Sequence, residues 1–405
     1  MSASTCLMLK SSTRVIKVNK AALNNLKVLE LGSLIAGPFA GRLFADFGAE
    51  VIKVENSDTG DPLRKWRVLE NGTSLWWYVQ SRNKKSIELN LKSVEGQNVI
   101  KELVNEVDII IENFRPGKLE EWGLGYEDLK AINPKIIMVR ISGFGQDGPM
   151  SDSPGFGSIG EAIGGLRYLT GYPDRPPTRV GLSIGDSIAG LYGVIGAFIA
   201  LHHRNQHPDN EGQFVDVALY EAIFSLTESM IPEYDRKGIV RERTGSNLPG
   251  ITPSNSYPCK NGEYVVIGAN GDSIFKRLMT AIGQPDLANN EKYENNEKRS
   301  NHAEFLDGII AGWTKERGIE EVLQVLEKNS IPASKIYSAA DIVHDPHYLA
   351  RDMLLDVDTN EIGTLKMPGI VPKLSDTPGK VNWAGPKLGE HNQEIINPDR
   401  LESDK

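Results

Sequence analysis

From residue 27 onward, short apolar runs alternate with stretches whose apolar positions recur three and four residues apart. KVLEL reads as a strand, GPFAGRLFADFG as a helix and EVIKVE as a second strand. KSIELNL comes next, followed by the helix SVEGQNVIKELVNEV and the strand DIIIENF. The helix KLEEWGLGYEDLKAIN and the strand KIIMVRISGFG continue the alternation. Strands spaced by amphipathic helices predict parallel βαβ units and a doubly wound α/β sheet.

Further along, residues 188–201 form a glycine-punctuated apolar run too short for a membrane span, and GQFVDVALYEAIFSLTESM reads as another helix. Residues 235–260 are polar and turn-rich (RERTGSNLPGITPSNSYPCKNG), as in a linker or mobile loop. EYVVIGA and the helices after it, to about residue 330, read as a smaller α+β unit, and the last 75 residues return to short strands and prolines. The expected organisation is an extension over 1–26, a large Rossmann-like domain over 27–225 plus about 331–405, and a small α+β domain over 226–330. Glu55 ends the second strand about twenty residues after a glycine turn, where a dinucleotide-binding fold keeps its ribose-binding acid. That turn, GSLIAGPFAG, lacks G-x-G-x-x-G, and Pro38 sits where the helix begins, so a bound NAD or FAD is not expected.

A formal charge of −9 argues against nucleic acid as a partner, since phosphate backbones need a dominant basic face. Cys6 and Cys259 match no metal or redox spacing, no Cys/His cluster is present, and a reducing compartment without a metal site is expected. The first 29 residues carry five basic residues, six Ser/Thr and no acid. That is the composition of a mitochondrial leader, which would place the protein in the matrix; otherwise it is expected in the cytoplasm.

The segment PTRVGLSIGDSIAGLYGVIGAFIALHH holds one acid, Asp186. An Asp before an apolar helix is a good N-cap, and the helix start favours its ionised form. Gly181, Gly185, Ser187, Ala189 and Gly190 around it leave room for a second molecule, so an anionic nucleophile is the competing reading.

The segments LIAGPFAGRLFADFGAEVIKVE, GDPLR, RNKKSIELNLK, IENFRPGKLEEWGLGYEDL, ISGFGQDGP, GLSIGDSIAGLYG and LGEHN lie in order between about residues 26 and 392. In these segments the chain resembles the class III CoA-transferases, a family that includes formyl-CoA and carnitine CoA-transferases and shares its fold with the α-methylacyl-CoA racemases. The resemblance implies an interlocked homodimer, CoA and acyl-CoA as substrates rather than a resident cofactor, and Asp186 as nucleophile. Its carboxylate would attack the acyl-CoA thioester to give an anhydride, thiolate would convert this to an aspartyl-CoA thioester, and the acceptor acid would reverse the sequence.

CoA is a polyanion, so an acidic protein must bind it with a local basic patch. Arg82, Lys84, Lys85 and Lys92 supply one in a segment that also holds Leu89. By resemblance, Asn113 and Phe114 of ENFRPG contact the adenine and Arg115 or Lys118 the phosphates. Ile35 and Ala36 offer backbone N–H groups to developing oxyanions, and Thr244–Gly250, with Gly245, is the candidate lid. Formyl-CoA transferase has glutamine where this chain has Ile35 and glutamate at Gly157, and carries nucleotide-site arginines where Asn56 and Glu121 stand here. The racemases carry His-Asp where this chain has Phe156-Gly157, so two-base proton exchange lacks a base. Arg42, Arg64 and Arg179 are candidate partners for the distal carboxylate of a dicarboxylic acid, with Phe156 beside them. The sequence thus favours dicarboxylyl-CoA transfer, with a racemase or a non-catalytic CoA-binding protein as alternatives.

Overall fold

The computed structural model describes residues 21–396, so the leader-like residues 1–20 lie outside the described residues. Residues 21–26 form a turn whose Leu23 and Leu26 pack on the core beside the first strand.

Six strands build the central sheet: β1 (Lys27–Glu30), β2 (Glu50–Glu55), β3 (Lys84–Glu88), β4 (Ile109–Glu112), β5 (Ile137–Ser142) and β6 (Phe214–Ala218). All pair in parallel, in the order β3-β2-β1-β4-β5-β6. This is the doubly wound Rossmann order, whose direction of winding reverses between β1 and β4. The inner strands are buried on both faces, which is why they read as unbroken apolar runs. Val28, Ile109, Ile111 and Val139 enter one core, and Leu29, Ile110 and Met138 the other. The first core is covered by α1 (Ala36–Asp46) and α5 (Ile184–Gln206), the second by α2 (Val94–Val104) and α3 (Tyr126–Ile132).

Three elements differ from the sequence reading. KLEEWGLGYEDLKAIN is broken rather than one helix: a short turn of helix at Lys118–Glu121 stops at Gly123, whose φ of +62° leaves the helical region, and α3 restarts at Tyr126. GQFVDVALYEAIF opens as strand β6 because Val215 and Val217 alternate toward the core while Asp216 accepts a bond from the Gln146 N–H. Only Leu219–Phe224 of it, α6, is helical before Ser225. Finally, α5 is 23 residues long and apolar enough to cross a membrane by length and composition, although 188–201 alone is not. In this fold it packs on α1 and β5 instead. Its glycines make that approach possible: a Cβ at Gly190 would lie 2.9 Å from the Ala36 carbonyl oxygen, and one at Gly193 2.9 Å from Val139.

A second, antiparallel sheet joins β7 (Ser254–Pro258), β8 (Tyr264–Gly268) and β9 (Ala333–Lys335), in the order β9-β8-β7. Its own core is shared with α7 (Asp272–Ala281), α8 (Ala303–Lys315) and α9 (Ile319–Lys328) through Phe275, Leu306, Ile310, Val322 and Leu326. The hairpin β10 (Leu354–Thr359) and β11 (Gly363–Pro368) returns to pack Val357 and Met367 near Leu63, Trp77 and Tyr78.

Candidate active site

The C-terminal ends of β1 and β4 diverge at the switch point, and a parallel sheet opens a crevice there. The turn after β1, the Asn113–Pro116 loop after β4, the loop after β5 and the start of α5 enclose a cavity of about 710 Å³. A second hollow of about 250 Å³, lined by Lys53, Asn56, Leu89 and Lys92, shares Ser33 and Phe114 as walls with the first.

Asp186 lines the larger cavity from the first turn of α5. It is the third helical residue, after Ile184 and Gly185, and Ser183 holds the N-cap position, so Asp186 is not the N-cap of this helix. The glycines around it do less to make room for a ligand than the sequence implies. A Cβ at Gly157 would fall 2.1 Å from Asp186 Oδ2, and one at Gly185 2.9 Å from the Gly157 carbonyl oxygen. They let α4 (Gly157–Ile163) press against the start of α5, and only Gly181 faces open space. Burial pushes the Asp186 pKa up to about 6, the Glu161 carboxylate adds to that rise, and Arg179 opposes it. The helix start therefore does not keep Asp186 at an ordinary carboxylate pKa, because desolvation and a like charge outweigh it.

The turn after β1 is rigidly specified. Leu34 has φ of +66°, costly for a branched apolar residue, and its N–H donates to Asp61 at 3.1 and 3.2 Å. Asp61 is held in turn by buried Lys53 at 2.9 Å, which also meets Glu30 at 3.2 Å and donates to the Gly32 carbonyl. Burial works against the Lys53 charge, yet Asp61 and Glu30 hold its pKa above the usual lysine range. Asn113 closes the turn from the other side, accepting from the Ser33 N–H at 2.8 Å and donating to the Ser33 carbonyl at 2.9 Å. Ile35 and Ala36, at the start of α1, thereby line the cavity facing Asp186 on a fixed backbone.

The sequence profile described as CoA-transferase family III matches residues 23–392, nearly all of the chain. The chain belongs to CoA-transferase family III. It is 52% identical over 375 residues to the succinyl-CoA–D-citramalate CoA-transferase of Chloroflexus aurantiacus, covering 92% of this chain and 93% of that one. The beta subunit of a succinyl-CoA–L-malate CoA-transferase from the same organism is 41% identical, over 92% and 93% of the two chains. Among solved structures, a CAIB/BAIF family protein from Brucella suis superposes with a TM-score of 0.82 at 33% identity, covering 94% of this chain and all of that one. This family III enzyme is thus a class III CoA-transferase, on the doubly wound α/β fold with an added smaller sheet.

Within that frame the structure sorts the sequence candidates. Asp186, Ile35, Ala36, Phe156, Arg179, Asn113, Phe114 and Arg115 all line the larger cavity, and Leu89 and Lys92 the adjoining hollow. The Asn113 amide is taken up by Ser33, and Phe114 stacks edge-on against Trp122 at 5.4 Å.

The expected basic patch is a correction. Arg82 is buried against Asp46 at 2.8 and 2.7 Å, Lys84 is buried on Glu30 at 2.7 Å, and Lys85 bridges Glu50 and Glu394. Those charges are neutralised inside the fold, and burial lowers the Lys84 pKa to about 8. Of the four, only Lys92 borders the crevice. Two acyl-site candidates are likewise displaced. Arg64 pairs with Glu55 at 2.7 Å, stacks over Trp77 and donates to the Pro386 carbonyl. Arg42 lies over Phe39 with its Nε buried and unpartnered, and burial pushes its pKa down to about 10. Gly245 rests on the Tyr172 ring, and neither it nor these two arginines lines the cavity. Two residues that sequence reasoning missed matter here. Glu161 lies under Asp186, and Arg67 lines the cavity mouth as a further cation. Glu161 sits one helical turn after Gly157, a spacing that was available in the sequence.

Proposed function

We propose that this enzyme moves CoA from succinyl-CoA, or another dicarboxylyl-CoA, to a second dicarboxylic acid of the citramalate or malate type. The observation that carries the reading is one cavity lined by both a half-buried carboxylate of raised pKa, Asp186, and the cation Arg179. The named relatives, succinyl-CoA transferases with citramalate, malate or mesaconate as partners and a succinate–glutarate CoA-transferase, point the same way. Asp186 attacks the thioester carbonyl carbon, the carbon–sulfur bond breaks and its electrons leave on the CoA thiolate. The thiolate then attacks the Asp186 carbonyl of the anhydride, expelling the first acid and leaving an Asp186–CoA thioester. The second acid reverses both steps, so no net proton moves. Raised basicity makes Asp186 a better nucleophile than an exposed carboxylate, while at pH 7 it remains mostly ionised. Arg179 holds the distal carboxylate, and the N–H groups of Ile35 and Ala36 steady the developing oxyanions.

The nucleotide end of CoA is assigned to the adjoining hollow beside Leu89 and Lys92, reached past Phe114. The subunits are proposed to form an interlocked homodimer, which would cover Leu191, Ile195, Phe198 and Ile199 on the outer face of α5; all four are exposed in the single chain. Acyl exchange with succinyl-CoA is to be compared with formyl-, acetyl- and butyrobetainyl-CoA, against citramalate, malate, mesaconate and glutarate as acceptors. A clear preference for the dicarboxylyl donor supports the proposal, and equal use of acetyl-CoA overturns it. Asp186→Ala must abolish exchange and the hydroxylamine-trapped adduct; full-rate exchange in that variant ends the nucleophile assignment.

A further inference from the structure

Glu161 stands out because its chemistry is unspent. It lies on α4 at 1% exposure, and its Oε2 takes both cations, Arg167 at 3.1 Å and Arg179 at 3.7 Å. Its Oε1 is buried with no hydrogen-bond partner. A buried, half-satisfied carboxylate costs free energy, and an amide in its place would accept the same bond from Arg167 without the charge. The position is also close to the reacting group: a Cβ at Gly185, beside Asp186, would lie 3.3 Å from Glu161 Cγ. The charged groups around Asp186 are Glu161 from α4, Arg179 from the preceding loop, and Arg67 and Arg115 on the cavity wall; the starts of α1 and α6 present Ile35, Ala36 and Leu219, which carry no charge.

We propose that Glu161 is a positioning residue for acyl transfer, whose carboxylate, tethered by Arg167, drives Asp186 from its free anion toward its uncharged covalent forms. The inference rests on Asp186 being the nucleophile. In the free enzyme two carboxylates share a poorly solvated site, and they repel. When Asp186 becomes an anhydride or a thioester its charge leaves on thiolate or on the departing acid, and that repulsion is relieved. Arg179 ties the effect to the substrate. A distal carboxylate that engages Arg179 leaves Glu161 with Arg167 alone, so the repulsion rises when a dicarboxylyl donor is seated.

The test uses full-length wild type, Glu161→Gln and Glu161→Asp with succinyl-CoA. Two quantities are read: the fraction of enzyme trapped by hydroxylamine as the Asp186 adduct, and the acid limb of kcat/KM against pH. Glu161→Gln is expected to lower the trapped fraction and to move the acid limb down by about one pH unit, a factor of about ten in the acylation equilibrium. Glu161→Asp keeps the charge and is expected to fall between Gln and wild type on both readouts. A purely structural tether to Arg167 would move neither, because Gln preserves that bond. A trapped fraction and an acid limb unchanged in Glu161→Gln overturn the inference. If Glu161→Gln does not fold, Glu161→Met, which also removes the charge at similar volume, is read in the same way, and both readouts at wild-type values in it overturn the inference. Asp186→Ala run in parallel separates the two failures: exchange surviving in it removes the nucleophile, whereas loss of exchange in it with an unaltered Glu161→Gln removes only the role of Glu161.

Discussion

Asp186→Asn should make the protein more stable, and the gain should depend on pH. In the fold the carboxyl pKa rises from its ordinary 3.8 to about 6, chiefly through burial and secondarily through Glu161. An acid with a raised native pKa binds its proton more tightly folded than unfolded. Its favourable contribution is therefore complete below the unfolded value and is lost as pH rises through the window from 3.8 to about 6. At ~1.4 kcal/mol per pH unit the loss comes to about 3 kcal/mol, and to about 2 kcal/mol once the water that still reaches this half-buried group is allowed for. Asparagine fills the same volume and does not titrate. Urea unfolding of the two proteins at steps from pH 4 to pH 8 should show equal stability near pH 4 and an advantage of about 2 kcal/mol for the variant at pH 8. A difference that stays constant across this range would refute the reasoning, since packing changes do not titrate. The same carboxylate that would carry the chemistry is then a liability to the fold, as expected where function and stability compete.

Wild-type exchange activity should fall as pH drops through about 6, because the nucleophile must be ionised, and an acid limb near pH 4 would contradict the burial of Asp186. Arg179→Gln should raise KM for succinyl-CoA by roughly 10- to 100-fold, the worth of one charge-assisted bond, while leaving acetyl-CoA turnover little changed. It should also raise the acid limb, because Arg179 opposes the upward shift of Asp186. Gly157→Ala places a Cβ 2.1 Å from Asp186 Oδ2, so the carboxylate must move; kcat should fall by about 100-fold with a melting temperature close to wild type. Lys53→Met strands Asp61 as a buried charge and leaves Glu30 to Lys84 alone, and should cost about 3–5 kcal/mol in urea unfolding.

Much of this architecture is legible in the sequence because it is set locally. Runs such as DIIIENF and KIIMVRIS are short, rich in β-branched residues and spaced by amphipathic helices, which together mark strands buried on both faces and paired in parallel, so the α/β class is legible in the sequence. Asp186 announces itself as the one acid in an apolar, small-residue segment. Where a glycine with positive φ interrupts the helical period, as at Gly123, the sequence carries the signal but not its outcome. The fate of charges is another matter. Arg82, Lys84 and Lys85 look like a phosphate-binding patch along the chain, but β3 is covered by the C-terminal segment, and Asp46, Glu30, Glu50 and Glu394 reach them from distant positions. A charge becomes a binding site or a structural pair according to which partner lies within about 4 Å, and that distance exists only after folding. For the same reason the tertiary structure alone set Glu161 beside Asp186 and raised the Asp186 pKa, since burial and a like charge across two helices leave no trace in either segment read by itself.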